Sequence, residues 1–123
     1  MLIYSMTTCP MYHKLLKEGF YQKLVDLLNS QGFRHEAYEF GNWSDLGHFG
    51  APREAFHKKI ITFTPMFILV PADKYKDPSV SDDDLLKSVI IFNGEVENGR
   101  VRYTQVYRSF DLKNFKYFIE TNA

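Results

Sequence analysis

The segment LIYSMTTCPMY, residues 2–12, joins an apolar run to a proline that suits the start of a helix. Residues 2–6 are short and apolar, which is typical of a buried strand. Thr8 or Cys9 can occupy a helix N-cap, and Pro10 suits the first helical position, where its missing N–H costs nothing. The segment therefore predicts a strand that leads directly into a helix, with Cys9 at the junction.

The helix after Pro10 is expected to run over about residues 10–30, because apolar residues recur there at spacings of four, four and three. The predicted apolar stripe is Leu16, Phe20, Leu24 and Leu27. Gly32 suits the end of the helix, since glycine readily takes the left-handed conformation found there. Gly19 is a weak point inside the predicted helix.

The remaining elements follow from period-two patterns, apolar stripes and turn signals. We predict strands at 33–40, from Pro65 or Met66 to Val70, at 88–92 and at 101–107, and helices at about 52–60 and after a Ser109 cap. Asn93-Gly94 and Asn98-Gly99 are turn signals. The first two strands should pair in parallel, and the later ones should form antiparallel hairpins. The chain is thus predicted to be an α/β protein with a central mixed four- to five-stranded sheet flanked by helices.

The stretch 71–87 is the least core-like part of the chain. It contains two prolines and the acidic triplet 82–84. We interpret it as an insertion that forms a solvated surface excursion, because loops of this length are unusual inside compact domains. A short helix beginning at Ser81 is an alternative for its second half.

Composition limits the classes of function. The 123 residues fit one domain, residues 1–123, and 15 basic residues balance 15 acidic ones. This neutrality argues against a general nucleic-acid binder and against a protein of anionic membrane surfaces. No signal peptide or membrane span is recognised, so a cytoplasmic protein is expected. A single cysteine excludes an intramolecular disulfide and any zinc site made from paired cysteines.

Cys9 is either a small buried apolar residue or the most reactive atom of the chain. Between a strand and a helix N-terminus, unpaired backbone N–H groups and the helix dipole stabilise a thiolate, the species that attacks disulfides. His13 lies four residues further on and can assist from the same helical face. Position alone leaves the inert thiol as an alternative.

Four motifs, taken in order, resemble the glutaredoxin and thioredoxin family over nearly the whole chain. They are Thr8-Cys9-Pro10-Met11-Tyr12 after the first strand, Thr64-Pro65 before an apolar strand, Ile91-Phe92-Asn93-Gly94-Glu95 as a hairpin turn, and Tyr107-Arg108-Ser109 before the closing helix. The resemblance implies a thioredoxin-like fold, Cys9 as the nucleophile, and a cis peptide bond at Pro65. It also implies a substrate groove at Pro10, Tyr12, Thr64 and Pro65.

The chain departs from that family at the resolving cysteine, whose place is taken by Tyr12. The resemblance therefore implies a monothiol mechanism, in which glutathione or a partner supplies the second thiol. The expected partners are protein thiols or disulfides, with glutathione as a candidate co-substrate and no bound cofactor. The C-G-F-S pattern of monothiol glutaredoxins and the glycine pair that holds glutathione are absent. The oligomeric state is left open.

The main alternative is a redox-inactive, thioredoxin-like module that binds proteins. A Cys–His hydrolase lacks a third orienting group and an oxyanion hole. His48 and His57 lack further ligands at metal spacing, so no metal site is expected. Trp43 is a candidate border of the Cys9 groove.

Overall fold

A computed structural model describes residues 1–45 and 52–122 of the chain. The strands are β1 (Leu2–Met6), β2 (Glu36–Phe40), β3 (Met66–Leu69), β4 (Ile90–Ile91), β5 (Gly94–Glu97) and β6 (Arg100–Tyr103). The helices are α1 (Pro10–Lys17), α2 (Phe20–Ser30), α3 (Glu54–Ile60), α4 (Ala72–Lys76), α5 (Asp82–Leu86) and α6 (Leu112–Asn122). A short 3-10 helix covers Trp43–Asp45.

The strands form one mixed sheet in the order β2-β1-β3-β4-β5-β6. The parallel pairing of β1 with β2 is confirmed, with Leu2 opposite Glu36. The antiparallel hairpins of the later strands are confirmed as well. The predicted four to five strands are too few, because residues Gly94–Glu97, between the two turn signals, form an additional strand, β5, that pairs with β4 and β6 and brings the sheet to six.

Alternate residues of the central strands bury their side chains on opposite faces of the sheet, as the period of two requires. On one face, Leu2 and Tyr4 of β1 pack in a cluster with residues of α3, α4 and α5. On the other face, Ile3 of β1 and Phe67 of β3 pack with residues of α1, α2 and α6. The sheet is therefore the middle layer between two groups of helices.

The single helix expected at 10–30 is divided into α1 and α2. Gly19 takes a left-handed φ of 72° between them, which a residue without Cβ adopts at little cost. The break changes the phase of the buried stripe. Leu15 is buried in α1 in place of the predicted Leu16, which is 46% exposed, and in α2 Leu28 rather than Leu27 is fully buried together with the predicted Leu24.

The stretch 71–87 is folded into helices, although most of its side chains are exposed. It forms α4 and α5, which bury Tyr75, Leu85 and Leu86 against the sheet. The short helix at Ser81 is confirmed, since the Ser81 hydroxyl accepts the Asp84 N–H at 3.1 Å. The turn between α4 and α5 is held from outside by Arg53.

Arg53 precedes α3 and has a side chain that is only 12% exposed. Its guanidinium donates hydrogen bonds to four backbone carbonyl oxygens of 71–87 and forms an ion pair with Asp82 at 2.9 Å. The carbonyls belong to Lys74 (3.1 Å), Tyr75 (2.6 Å), Asp77 (2.5 Å) and Val80 (2.9 Å). One side chain thus binds carbonyl groups at the end of α4 and in the following turn, in addition to the backbone N–H bonds that Lys74 and Asp77 accept there.

Several predicted element ends shift by a few residues. The structure starts β2 at Glu36 and α3 at Glu54, and shortens the strand predicted at 88–92 to β4. The last strand stops at Tyr103 because the buried Asn93 side chain bonds both backbone groups of Arg108, at 2.7 and 2.8 Å. Asp111, rather than Ser109, caps α6 by accepting the Asn114 N–H at 2.8 Å.

Within the described ranges, no helix combines the length and apolar character needed to cross a membrane.

Candidate functional site

Cys9 lies at the end of β1, as the N-cap of α1, with Pro10 at the first helical position. Its side chain is partly exposed, and its Sγ–H donates to the Thr64 carbonyl oxygen at an Sγ–O distance of 3.8 Å. Its backbone N–H donates to the Met6 carbonyl at 2.9 Å, which fixes the turn between β1 and α1. The tertiary fold therefore brings together residues 55 positions apart in sequence.

The Thr64–Pro65 peptide bond is cis, as the resemblance implies. Pro65 is buried directly before β3, and Thr64 is half-buried beside the thiol. Pro10 is exposed at the start of α1. Of the residues expected to line a groove, Thr64 is the one that contacts Cys9 through a hydrogen bond.

Tyr12 turns inward from the first turn of α1 and is only 7% exposed. Its hydroxyl donates a short hydrogen bond to the Glu39 carboxylate on β2. Burial, followed by the bond to this carboxylate, raises the pKa of Tyr12 to about 12. Tyr12 therefore stays neutral and ties α1 to β2.

Tyr21 of α2 forms the next part of the site. Its ring packs edge-on against Tyr12, with the ring centres 5.3 Å apart. Its hydroxyl lies 3.3 Å from the buried Ser5 hydroxyl of β1. Burial raises the pKa of Tyr21 well above its usual value, and the nearby Cys9 and Glu39 charges act in the same direction. Both phenol groups therefore stay neutral, and Tyr21 is close enough for its pKa to respond to Cys9.

His13 has a hydrogen-bond partner in the turn before α1. Its Nε2 lies 2.5 Å from the Thr7 carbonyl oxygen. Because a carbonyl only accepts hydrogen bonds, Nε2 carries a proton and donates it to Thr7. His13 thus braces the turn before α1.

Exposed aromatic rings lie on either side of Cys9, at the end of the sheet where β1 ends and β3 begins. Tyr103 stacks on Phe63 with ring centres 3.8 Å apart, and Phe63 directly precedes Thr64. On the other side, Trp43 packs on Phe40 at 5.6 Å, and the Phe40 carbonyl accepts the Thr7 N–H. Sequence reasoning named Trp43 but missed Tyr103, Tyr21 and Glu39, which lie far from Cys9 in sequence. Only the predicted pairing of β1 with β2 could have pointed to Glu39.

Comparison of the chain with protein-family models, with curated proteins and with solved structures found no match.

The acidic triplet is neutralised by cations: Asp82 pairs with Arg53, Asp83 with Lys59 and Asp84 with Lys87. No cluster of three or more metal-ligating side chains occurs within 1–45 and 52–122. His48 lies outside the described residues.

His57 is fully buried on the α3 side of the sheet. Its Nε2 lies 3.0 Å from the Pro52 carbonyl oxygen and 2.9 Å from the Tyr75 hydroxyl, and its Nδ1 lies 2.5 Å from the Tyr4 hydroxyl. Since the Pro52 carbonyl needs a donor, Nε2 carries the proton and Nδ1 accepts from Tyr4. His57 is therefore a neutral structural residue in the core.

We expect His57 to make the protein less stable in mild acid. Burial lowers the pKa of His57 from 6.5, so below pH 6.5 the unfolded chain takes up a proton that the folded chain resists. The free energy of unfolding should be fully retained above pH 6.5 and should fall as the pH approaches the lowered folded-state value. Urea unfolding at pH 7.5, 6.5 and 5.5, followed by circular dichroism, measures this.

The control for this pH dependence is His57→Gln, which keeps a polar side chain but does not titrate. The variant is expected to be less stable at every pH, with a smaller change between pH 6.5 and 5.5. Equal pH slopes for the two proteins would show that His57 does not cause the effect.

Proposed function

We propose that the protein is a thioredoxin-like thiol–disulfide exchange protein that works through the single thiol of Cys9. The observation that carries this proposal is the place of the thiol. Cys9 is partly exposed at the N-terminus of the eight-residue helix α1, and its sulfur lies 3.8 Å from the Thr64 carbonyl before Pro65. An inert packing role would instead favour a sulfur enclosed among apolar side chains.

Support for the fold assignment comes from the order of the elements. The parallel strands β1 and β2 are joined through helices, and the antiparallel β3 begins just after the cis Pro65. The active-site turn then lies where β1 ends and β3 begins. Both chain segments therefore border the same end of the sheet.

The reaction proceeds by two displacements at sulfur. In the first, the Cys9 thiolate attacks the glutathione sulfur of a protein–glutathione disulfide, the old S–S bond breaks, and the protein thiolate leaves. In the second, the thiolate of another glutathione attacks the Cys9 mixed disulfide, releasing oxidised glutathione and the Cys9 thiolate. In the first step Cys9 forms a mixed disulfide with that glutathione, and over both steps the protein–glutathione disulfide is exchanged for oxidised glutathione: the protein sulfur is reduced to a thiol and the thiol of the one added glutathione is oxidised. The leaving protein thiolate takes up the proton that the attacking glutathione thiol gives up.

The residues around Cys9 have distinct parts in this scheme. The first-turn N–H groups of α1 and the helix dipole favour the thiolate. Thr64 holds the resting thiol through its carbonyl oxygen, and the exposed Pro10 borders the approach. Tyr12 and Tyr21 stay uncharged, so their phenol groups add no negative charge that would repel the thiolate.

The test is turnover of a glutathionylated peptide with excess glutathione. We expect catalysis by the wild-type protein and only the uncatalysed rate with Cys9→Ser. Cys9 should also be alkylated at pH 7 faster than a cysteine in an unstructured peptide. His13→Gln is a matched control on the same helix, and it should retain most of the activity.

The opposite result favours the alternative of a redox-inactive binding module. No turnover by the wild-type protein, together with alkylation no faster than that of the peptide, would overturn the proposed exchange activity.

A further inference from the structure

Strand β6 lies at one end of the sheet, and its inner edge pairs with β5. Within the described part of the chain, no strand pairs with its outer edge. An unpaired strand edge offers backbone N–H and C=O groups that another extended chain can bind. This edge is the starting point for an inference that goes beyond the proposed thiol chemistry.

The register shows which backbone groups face outward. Glu97 pairs with Arg100 across the two-residue turn Asn98-Gly99, so these two form a hydrogen-bonded pair. Along the hairpin, pairs of residues that are hydrogen-bonded to each other alternate with pairs that are not. The pattern continues to the end of the hairpin, where the Thr104 N–H donates to the Asn93 carbonyl at 3.1 Å. The residues between, Val101 and Tyr103, therefore point their backbone N–H and C=O groups away from β5.

The segment that contains this edge is positively charged. Residues 100–108, RVRYTQVYR, contain three arginines and no acidic residue. Arg102 binds both glutamates of β5, Glu95 at 2.5 Å and Glu97 through its Nε. The ion pairs of the described residues leave Arg100 and Arg108 without an acidic partner. The strand that pairs with the inner edge of β6, β5, is thus itself acidic.

Exposed apolar surface continues beyond β6. Tyr103 is 51% exposed, Val106 73% and Tyr107 57%. Large side chains of this kind, gathered beside an open strand edge, are typical of surfaces that bind another chain.

A second copy of the chain fits this edge poorly. Pairing two β6 strands would bring Arg100 and Arg102 of both copies into one small sheet, with like charges close together. An acidic strand places opposite charges there, as β5 does on the inner side. The charge pattern therefore selects a partner that differs from β6.

We propose that the outer edge of β6 binds an extended acidic segment of a partner protein as an additional strand. Backbone hydrogen bonds to Val101 and Tyr103 give the pairing, and Arg100 gives the preference for acidic side chains. The site lies close to the thiol, because Tyr103 stacks on Phe63, which directly precedes Thr64. The proposed binding does not require the thiol.

The first test is calorimetric binding of two short peptides, one alternating glutamate and valine and the other alternating lysine and valine. The acidic peptide should bind, and more weakly as salt increases, while the lysine peptide should not. Arg100→Glu should weaken binding by about tenfold or more. Lys23→Glu makes the same charge change on the exposed side of α2 and should leave affinity within about twofold.

The second test is backbone amide hydrogen exchange. On binding, exchange should slow at the amides of Val101 and Tyr103, while those of Arg100 and Arg102, already paired with β5, should change little. Cys9→Ser should bind the peptide like the wild type, so loss of thiol chemistry and loss of peptide binding are separable.

Three results would overturn the proposal. They are equal affinity for the two peptides, binding that Arg100→Glu leaves unchanged, and binding without slower exchange at the two outward amides. Concentration-dependent dimerisation of the wild-type protein that slows exchange at the amides of Val101 and Tyr103 would show that a second copy occupies the edge instead.

Discussion

Replacing Tyr12 with cysteine is expected to give the chain an intramolecular disulfide that the wild-type protein cannot form. The Cα atoms of helical residues three positions apart are separated by about 5 Å, as the rise and radius of an α-helix require. That separation falls within the range of about 4.4–6.8 Å seen in disulfides. Under mild oxidation, Tyr12→Cys should lose both free thiols without dimerising, as measured by thiol titration and by a mass decrease of about two hydrogens.

The matched control is Tyr12→Ser, which removes the same ring and the same hydrogen bond to Glu39 but adds no thiol. Both variants should be less stable than the wild type, because a buried aromatic side chain is lost. Only Tyr12→Cys should show the oxidised form. Two persistent free thiols in this variant under the same oxidation would show that the two positions do not meet as the helix geometry requires.

Among single substitutions of charged side chains, Arg53→Ala is expected to cause the largest loss of stability. The substitution leaves four backbone carbonyls of 71–87 and the Asp82 carboxylate without their guanidinium partner. Removing a mostly buried charged donor from several acceptors should cost about 3 kcal/mol of unfolding free energy. The midpoint of thermal unfolding should fall by about 10 °C.

Two further variants separate the Arg53 hydrogen bonds from its charge. Arg53→Lys keeps the charge but cannot reach all the carbonyls, so its stability should lie between those of the wild type and Arg53→Ala. Lys59→Ala removes a nearby ion pair that is exposed on both sides, and its effect should be much smaller. An Arg53→Ala protein as stable as Lys59→Ala would contradict the role assigned to Arg53.

Local chemistry was sufficient to predict the turn that carries Cys9. An apolar strand, an N-cap position and Pro10 follow one another within a few residues, and each acts on its immediate neighbours. The parallel pairing of β1 and β2 followed from the same pattern. The break at Gly19 was noticed only as a weakness, because a single glycine does not show whether tertiary packing will keep a helix continuous.

The sequence was least informative about contacts between distant segments. Residues 71–87 look polar because most of their side chains are exposed, while Tyr75 and two leucines supply the buried contacts. The segment is fixed by Arg53, which lies about twenty to thirty residues earlier. Around Cys9, the roles of Glu39, Tyr21 and Tyr103 likewise depend on how the layers pack.

The packing of Trp43 on Phe40 gives the molecule an optical reporter of its own. The chain has one tryptophan and one cysteine, and the Phe40 carbonyl links the strand beneath the indole to the turn before Cys9. Indole emission in this protein therefore comes from one place only. A chromophore attached to the sole thiol would quench it by energy transfer, so movement between the two sides of the turn can be followed without any added mutation.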